Sequence, residues 1–181
     1  MIFLDLIYKI DYFILDFIQN FLRCDFLDNV MVFFTKLGDD GIIWIAITLI
    51  CLITDKYRKV GSALTIALVI CLLLGNEVLK EGFMRLRPFQ QREFSLIIPA
   101  PSGYSFPSGH TMSSFAAAFV FYFVQKRYFK WALCLAVLIS FSRMYLYVHF
   151  FSDVLVGALF GILFGYLGAV IIYRKFKFKR H

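Results

Sequence analysis

The chain has 181 residues, 61% of them hydrophobic and 17% charged, with a mean hydropathy of +0.76. A soluble domain is nearer half apolar and about a quarter charged, so the composition excludes the ordinary soluble classes and fits one compact integral membrane domain over residues 1–181. The formal net charge of +7 does not point to nucleic acid, because much of it lies in short connecting segments and the tail, where it reports topology and anionic lipid.

Residues 2–23 are apolar but interrupted. At about 100° per residue, Asp5, Lys9, Tyr12, Asp16, Gln19 and Arg23 share one stripe, while Phe3, Leu6, Ile10, Phe13, Phe17 and Phe21 lie elsewhere. Either this first amphipathic helix spans with its stripe turned to other helices, or it lies in the interface. Residues 26–37 form a short amphipathic piece that ends at the turn signal Gly38-Asp39-Asp40-Gly41. The apolar run Ile42–Thr54 is short for a span, which needs roughly 20 residues. Extension through Asp55 and Tyr57, with Trp44 and Tyr57 near the interfaces, gives the length. Gly61–Leu79 reads as a span with Asn76 and Glu77 in its last turn. Residues 80–107 form a connection rich in proline and arginine, too polar to cross. Thr111–Val124 opens with small residues (Ser113, Ser114, Ala116, Ala117, Ala118) that permit close helix packing. Trp131–His149 is the next span and Val154–Tyr173 the last, with Gly157, Gly161, Gly165 and Gly168 as a packing stripe. Residues 174–181 make a basic tail. The expected fold is all-α, a polytopic helical bundle of about six transmembrane helices.

Cys24, Cys51, Cys71 and Cys134 show no CxxC spacing, which indicates neither a disulfide framework nor a zinc site. There is no signal peptide with a small-residue cleavage site, no internal repeat and no low-complexity linker. Segments 55–60 and 126–130 and the tail together carry eleven basic residues, which places them in the cytoplasm and puts residues 80–107 and 143–153 on the opposite, extracytoplasmic side. Lys80, Arg85, Arg87, Arg92 and Arg143 then sit against the rule, a hint that they are kept for chemistry.

Three polar clusters stand at the ends of apolar segments: Lys80 with Arg87-Pro88, then Pro107-Ser108-Gly109-His110, then Ser142-Arg143 with His149 and Asp153. Cations gathered near a membrane surface need an anion to share, and forked guanidinium donors match phosphate oxygens. Singly, each is also a snorkelling side chain at a helix end, the reading given to Arg85 and Arg92. Pro107 suits a helix start, and free N–H groups at a helix N-terminus, with Gly109 permitting close approach, form an anion site; the plainer alternative is an ordinary N-cap, Ser108, beside an incidental histidine. On a continuous helix His149 and Asp153, spaced i and i+4, share a face. A carboxylate on one imidazole nitrogen leaves the other as a nucleophile. The alternatives are a buried histidine pair, or half a metal site with His110 or Glu77 as third ligand, against which the surrounding cations weigh. The three clusters together describe one phosphate-handling site.

Lys80-x6-Arg87-Pro88, Pro107-Ser108-Gly109-His110 and Ser142-Arg143-x5-His149-x3-Asp153 resemble the three-part signature of the type 2 phosphatidic acid phosphatase superfamily, with no signature position departing from the pattern. The resemblance implies a membrane-bound phosphatase that needs no metal or other cofactor and acts on a membrane lipid. By matching position it implies that Lys80, Arg87, Ser108, Gly109 and Arg143 hold the phosphoryl group. His149 would attack phosphorus, Asp153 would orient His149, and His110 would protonate the leaving oxygen. Among the family's substrates the compact chain with an outward-facing site looks most like the enzymes acting on undecaprenyl diphosphate in the bacterial plasma membrane; phosphatidylglycerophosphate or phosphatidate is the alternative. Two other classes are an anion transporter using the cations as a selectivity ring, which gives no reason for the His149–Asp153 pair, and an inactive scaffold, which gives none for His110 and His149 together.

Overall fold

The computed structural model describes residues 2–178. The side chains of residues 2–4, Asn76, Glu77 and residues 175–178 and the whole of Met1, Lys179, Arg180 and His181 lie outside the described residues, and with them the facing expected of Phe3, the third-ligand suggestion for Glu77 and most of the expected basic tail.

Among the described residues the regular elements are helical. In chain order they are α1 (Ile2–Phe21), α2 (Asp25–Gly38), α3 (Ile42–Ile53), α4 (Arg58–Ile70), α5 (Lys80–Phe83), α6 (Pro88–Gln91), α7 (Gly109–Val124), α8 (Phe129–Tyr145) and α9 (Phe151–Phe178). Between α4 and α5 the coil widens into a π-helix over Cys71–Leu79. The stretches Asp55–Gln91 and Phe151–Arg174 are long and apolar enough to cross a membrane, and Gly109–Val124 is a shorter apolar helix. The expected span through Tyr57 is not one helix. α3 stops at Ile53, Thr54 turns extended, and Asp55–Tyr57 is a separate 3-10 turn leading into α4. The Thr54 hydroxyl donates to the Ile50 carbonyl, one of the local side-chain bonds that compete with helix continuation.

The bundle is drawn together by α9. A Cβ on Gly157 would stand 2.8 Å from the Ser108 carbonyl oxygen, on Gly161 2.5 Å from that of Met112, and on Gly165 2.6 Å from that of Ala116. Gly168 meets the Ala63 carbonyl of α4 in the same way. The glycine stripe therefore sets α9 backbone-to-backbone on α7 and α4, and the alanines of α7 are buried beside it.

Trp44 is not an interfacial anchor. It is fully buried among α3, α4, α7 and α8, and its indole Nε1–H donates to Ser114 Oγ at 2.9 Å. Near the start of α3 its side chain turns inward, where a partner for the indole N–H makes burial tolerable.

The two ends of the bundle differ. The turns before α4 and α8 meet through the Tyr57 and Tyr128 hydroxyls, 2.8 Å apart, and Tyr173 near the end of α9 reaches the Phe123 carbonyl. Lys56, Arg58, Lys59, Lys126 and Arg127 thus share one end. At the other end α1 lies across the tops of α8 and α9. Asp11 bonds Ser152 at the start of α9, and Gln19 bonds the carbonyl of Tyr145 at the end of α8. Eight residues of helix rise about 12 Å, close to the 8–10 Å between neighbouring helix axes; a helix running beside α9 could not make both contacts. Beneath α1 a second apolar cluster joins Leu15, Ile18 and Met31 to Tyr145, Leu146, Val148 and Phe150. Leu6, Ile10, Phe13, Phe17 and Phe21 face outward.

Candidate active site

The site forms at the end of the bundle covered by α1 and α2. After Tyr145 the chain reverses through Tyr147, whose φ of 60° lies in the left-handed region, sparsely used by residues other than glycine. The Tyr147 ring stacks on Phe94 at 4.0 Å, and the Val148 and His149 N–H groups both donate back to the Arg143 carbonyl. This turn brings Arg143 and His149 to one place. His149 precedes α9, so it and Asp153 are not joined by a continuous helix as their spacing suggested. Instead Asp153, in the first turn of α9, accepts the Phe150 N–H at 2.8 Å, which caps the helix start and leaves its Oδ2 3.6 Å from His149 Nδ1. Ser105 Oγ donates to that same oxygen and stands 3.5 Å from Nδ1.

On the far side of the ring, Arg87 Nη1 lies 3.2 Å from His149 Nε2. Arginine can only donate, so Nε2 accepts and the proton sits on Nδ1, toward Asp153 and Ser105. Burial pushes the His149 pKa well below its ordinary 6.5, reinforced by Arg87, Arg143, Lys80 and His110. The imidazole is neutral at pH 7, with its lone pair on Nε2. Arg87 is fixed by the carbonyls of Gly103, Val148 and Ser102, each at 3.0 Å; burial lowers its pKa to about 10, with Asp153 opposing the shift, and it remains a cation.

Arg143 is buried and donates from Nη1 to Thr35 Oγ1 of α2. Its Nε is also buried and finds no hydrogen-bond partner among the described residues. A buried donor left unpaired costs about 1–3 kcal/mol, and an oxyanion beside it would satisfy it. His110, in the first turn of α7, meets Asp39 of the α2–α3 turn, Nε2 to Oδ1 at 2.9 Å. That turn needs Asp40 and Gly41 at φ 50° and 70°, a conformation glycine adopts freely. The His110 bond holds the Asp39 carboxyl below its usual range, against the effect of burial. His110 thus faces Asp39, and among the described residues no three His, Cys, Asp or Glu side chains form a cluster able to hold a metal.

A cavity of about 920 Å³ opens here, with Lys80, Arg87, Gly109, His110, Arg143 and His149 on its wall. It extends between α3 and α4 along Ile45, Leu49, Leu52, Leu68, Val69 and Leu72. Of the eight expected site residues, six therefore line one space. Asp153 is buried behind His149. Ser108 is buried too, its N–H donating to the Asp153 carbonyl and its hydroxyl accepting from Thr111. Ser108 is the N-cap of α7, and Pro107 stands before it rather than in the first turn.

Arg85 does not snorkel toward water as expected of a cation at a helix end; it turns inward. Its Nη1 donates to Asp153 Oδ1 at 2.6 Å and its Nη2 to Asp11 Oδ2 at 2.7 Å. Burial alone would lower its pKa, but Asp153 and Asp11 outweigh it and the pKa is raised. Arg92 does stay near the surface, paired with Asp16 and lying over the Tyr12 ring. Thr35, Ser105 and Asp11 carry no motif, and Asp39 showed only as part of the turn signal before α3; Asp11 left a trace as a carboxylate inside an apolar run but off the polar stripe.

A model of the PAP2 superfamily matches residues 57–177. The chain belongs to the PAP2 superfamily. An undecaprenyl-diphosphatase from Sulfolobus acidocaldarius is 36% identical over 155 residues, covering 84% of this chain and 74% of that one. Phosphatidylglycerophosphatase B from Bacillus subtilis is 34% identical over 158 residues, covering 81% and 75%. Among solved structures, LpxE from Aquifex aeolicus superposes with a TM-score of 0.75 at 30% identity, over 87% of this chain and 93% of that one. The transmembrane PAP2-type phosphatidylglycerolphosphate phosphatase from Bacillus subtilis gives 0.69, also at 30%, over 84% and 80%. The PAP2 chain described here is a hydrolase of the phosphatase class, built on the all-helical fold of these membrane relatives.

Proposed function

We propose that the protein hydrolyses a lipid phosphomonoester or diphosphate through a phosphohistidine, with undecaprenyl diphosphate as the favoured substrate. The observation that carries this reading is the single cavity whose one end is lined by cations and histidines and whose other end is a greasy cleft between α3 and α4. A phosphate head fits the first and a hydrocarbon tail the second. An anion pathway would need no apolar branch.

In the proposed reaction Lys80, Arg87, Arg143 and the Gly109 backbone hold the phosphoryl oxygens and the charge that grows on them. Ser108 supports Gly109 from behind. The His149 Nε2 lone pair attacks phosphorus in line as the bond to the leaving oxygen breaks, and His110 gives that oxygen its proton. Asp153 balances the positive charge that develops on the His149 ring. Water then attacks phosphorus, His110 takes a proton from it, and the P–N bond electrons return to His149. These residues supply the electrostatics without calling on a metal or cofactor.

The substrate assignment rests on the undecaprenyl-diphosphatase relative, with the phosphatidylglycerophosphatases as the competing analogy. We place the site on the extracytoplasmic face of the plasma membrane and the basic turns and C-terminus in the cytoplasm, following the positive-inside rule. α3, α4 with its π extension, α7, α8 and α9 then cross, five crossings where about six were expected, because in this reading α1 and α2 lie at the interface on the site's side. The Ser102→Cys variant should react with an impermeant label on intact cells; labelling only after lysis refutes the orientation.

The deciding experiment is phosphate release by purified protein in detergent with EDTA present. Undecaprenyl diphosphate, phosphatidylglycerophosphate and phosphatidate run in parallel, each with a His149→Ala control. Release that survives chelation and disappears in the control supports the reading, and the rate ranking selects the lipid. No release from any of them overturns it.

A further inference from the structure

α1 lies outside residues 57–177, the part that matches the family model, yet it reaches the nucleophile's support. Asp11 is a carboxylate with only 1% of its surface exposed. Its Oδ1 accepts the Ser152 N–H at 2.8 Å, and its Oδ2 accepts the Ser152 hydroxyl at 2.6 Å and Arg85 Nη2 at 2.7 Å. The Arg85 guanidinium, packed over the Phe150 and Tyr8 rings, continues to Asp153 through Nη1. The Arg85 carbonyl also accepts the Ser105 N–H at 2.8 Å, and Ser105 Oγ is the second group on Asp153. One arginine thus fixes both oxygens of Asp153, one directly and one through Ser105, and Asp11 fixes the arginine.

The charges alternate along this line: Asp11 negative, Arg85 positive, Asp153 negative. With Arg85 as its sole charged partner, Asp153 would have its charge largely cancelled, and little would remain to stabilise a positive ring on His149. With Asp11 sharing the guanidinium, the buried set carries a net negative charge behind His149 and the fork of Arg85 is held in one orientation. We propose that Asp11 is a positioning residue for the nucleophile, acting through Arg85 on Asp153 and coupling α1 to the chemistry at His149.

The inference rests on the phosphohistidine reading above, and it is tested by a variant that separates its two contacts. In Asp11→Asn the amide oxygen can still accept the Ser152 N–H and cap α9, but the charge shared with Arg85 is gone. Full-length wild type, Asp11→Asn, Arg85→Lys and the double variant are purified in detergent. Their unfolding temperatures, and kcat and KM on the lipid that wild type turns over, are compared. In parallel, the rate at which diethyl pyrocarbonate modifies His149 is followed by peptide mass spectrometry, with His110 as internal reference. Carboxylate partners that orient a metal-bound histidine contribute about 10–100-fold, and Asp11, one step behind the carboxylate that orients His149, is assigned the lower end of that range by analogy. The expected result is that kcat and His149 modification each fall about tenfold or more in Asp11→Asn, with KM within about twofold. Unfolding temperature and His110 modification should stay near wild type, and the double variant should be no worse than Arg85→Lys, because residues in one network are not additive. An unchanged rate of His149 modification overturns the proposal, as does a loss of kcat that follows loss of folded protein. If wild type releases no phosphate from any lipid, the reaction reading fails, while the modification rates still decide whether Asp11 sets His149.

Discussion

Arg87 Nη1 donates to His149 Nε2 across 3.2 Å, so the proposed nucleophilic lone pair faces the guanidinium that would receive the phosphoryl group. The other Arg87 nitrogens are held by backbone carbonyls. A lysine there keeps the charge but lacks the fork. Arg87→Lys should lower kcat/KM by about 10²–10³, the range for removing one donor aimed at a transition-state oxyanion. Steady-state phosphate release checks this; a loss below about fivefold would remove Arg87 from the phosphate-binding set.

The pH profile follows from the depressed pKa of His149. A base whose pKa is lowered stays deprotonated as the pH falls, so the acid limb of kcat/KM that reports it should lie well below pH 6.5, its ordinary value. Lys80 is one of the cations holding it down. Lys80→Met should therefore raise the His149 pKa and move that limb toward neutrality, besides weakening substrate binding. A profile shifted to lower pH, or not shifted, would contradict the assignment.

Gly157 lies against the cap of α7. Alanine there would set its Cβ 2.8 Å from the Ser108 carbonyl oxygen and 3.4 Å from the Ser108 nitrogen. At Gly161 the obstacle is the Met112 carbonyl oxygen at 2.5 Å, one turn further from the site. Overpacking of this kind costs about 1–3 kcal/mol, so both variants should melt at lower temperature in detergent. Gly157→Ala should lose much more activity per folded molecule, because the shift falls on Ser108 and Gly109. Equal activity in the two folded variants would separate the stripe from the site.

Trp44 and Ser114 form a buried pair. Ser114→Ala should cost about 1–3 kcal/mol by leaving the indole N–H unsatisfied, whereas Trp44→Phe with Ser114→Ala removes donor and acceptor together. Relative to Trp44→Phe alone, adding Ser114→Ala should cost little. Denaturation of the four proteins measures the coupling; additivity would mean that the bond contributes nothing.

What could be read from the sequence was whatever repeats along one element or falls within one motif. The glycine stripe of α9 was visible because its spacing belongs to one helix. Six cavity residues were visible because each sits at the end of an apolar run. Asp11, Thr35 and Asp39 were not, since their partners Arg85, Arg143 and His110 are 74, 108 and 71 residues away. No local period records such a pairing. Trp44 was misplaced for a related reason: depth along a helix can be counted, but the direction a side chain faces depends on its neighbours. His149 and Asp153 meet as expected, through a turn and a cap rather than the helical face that their spacing suggested.

The cavity between α3 and α4 has a consequence for the fate of the products. Under the lipid reading, one turnover yields two molecules of opposite solubility. Inorganic phosphate leaves through the polar mouth into water. The shortened lipid has only to slide sideways from an oily slot into the surrounding leaflet. Neither product need pass the other, and the hydrocarbon chain is never lifted out of the bilayer. The protein would then act as a small separator, keeping its two effluents apart by the opposite polarity of the two ends of one cavity.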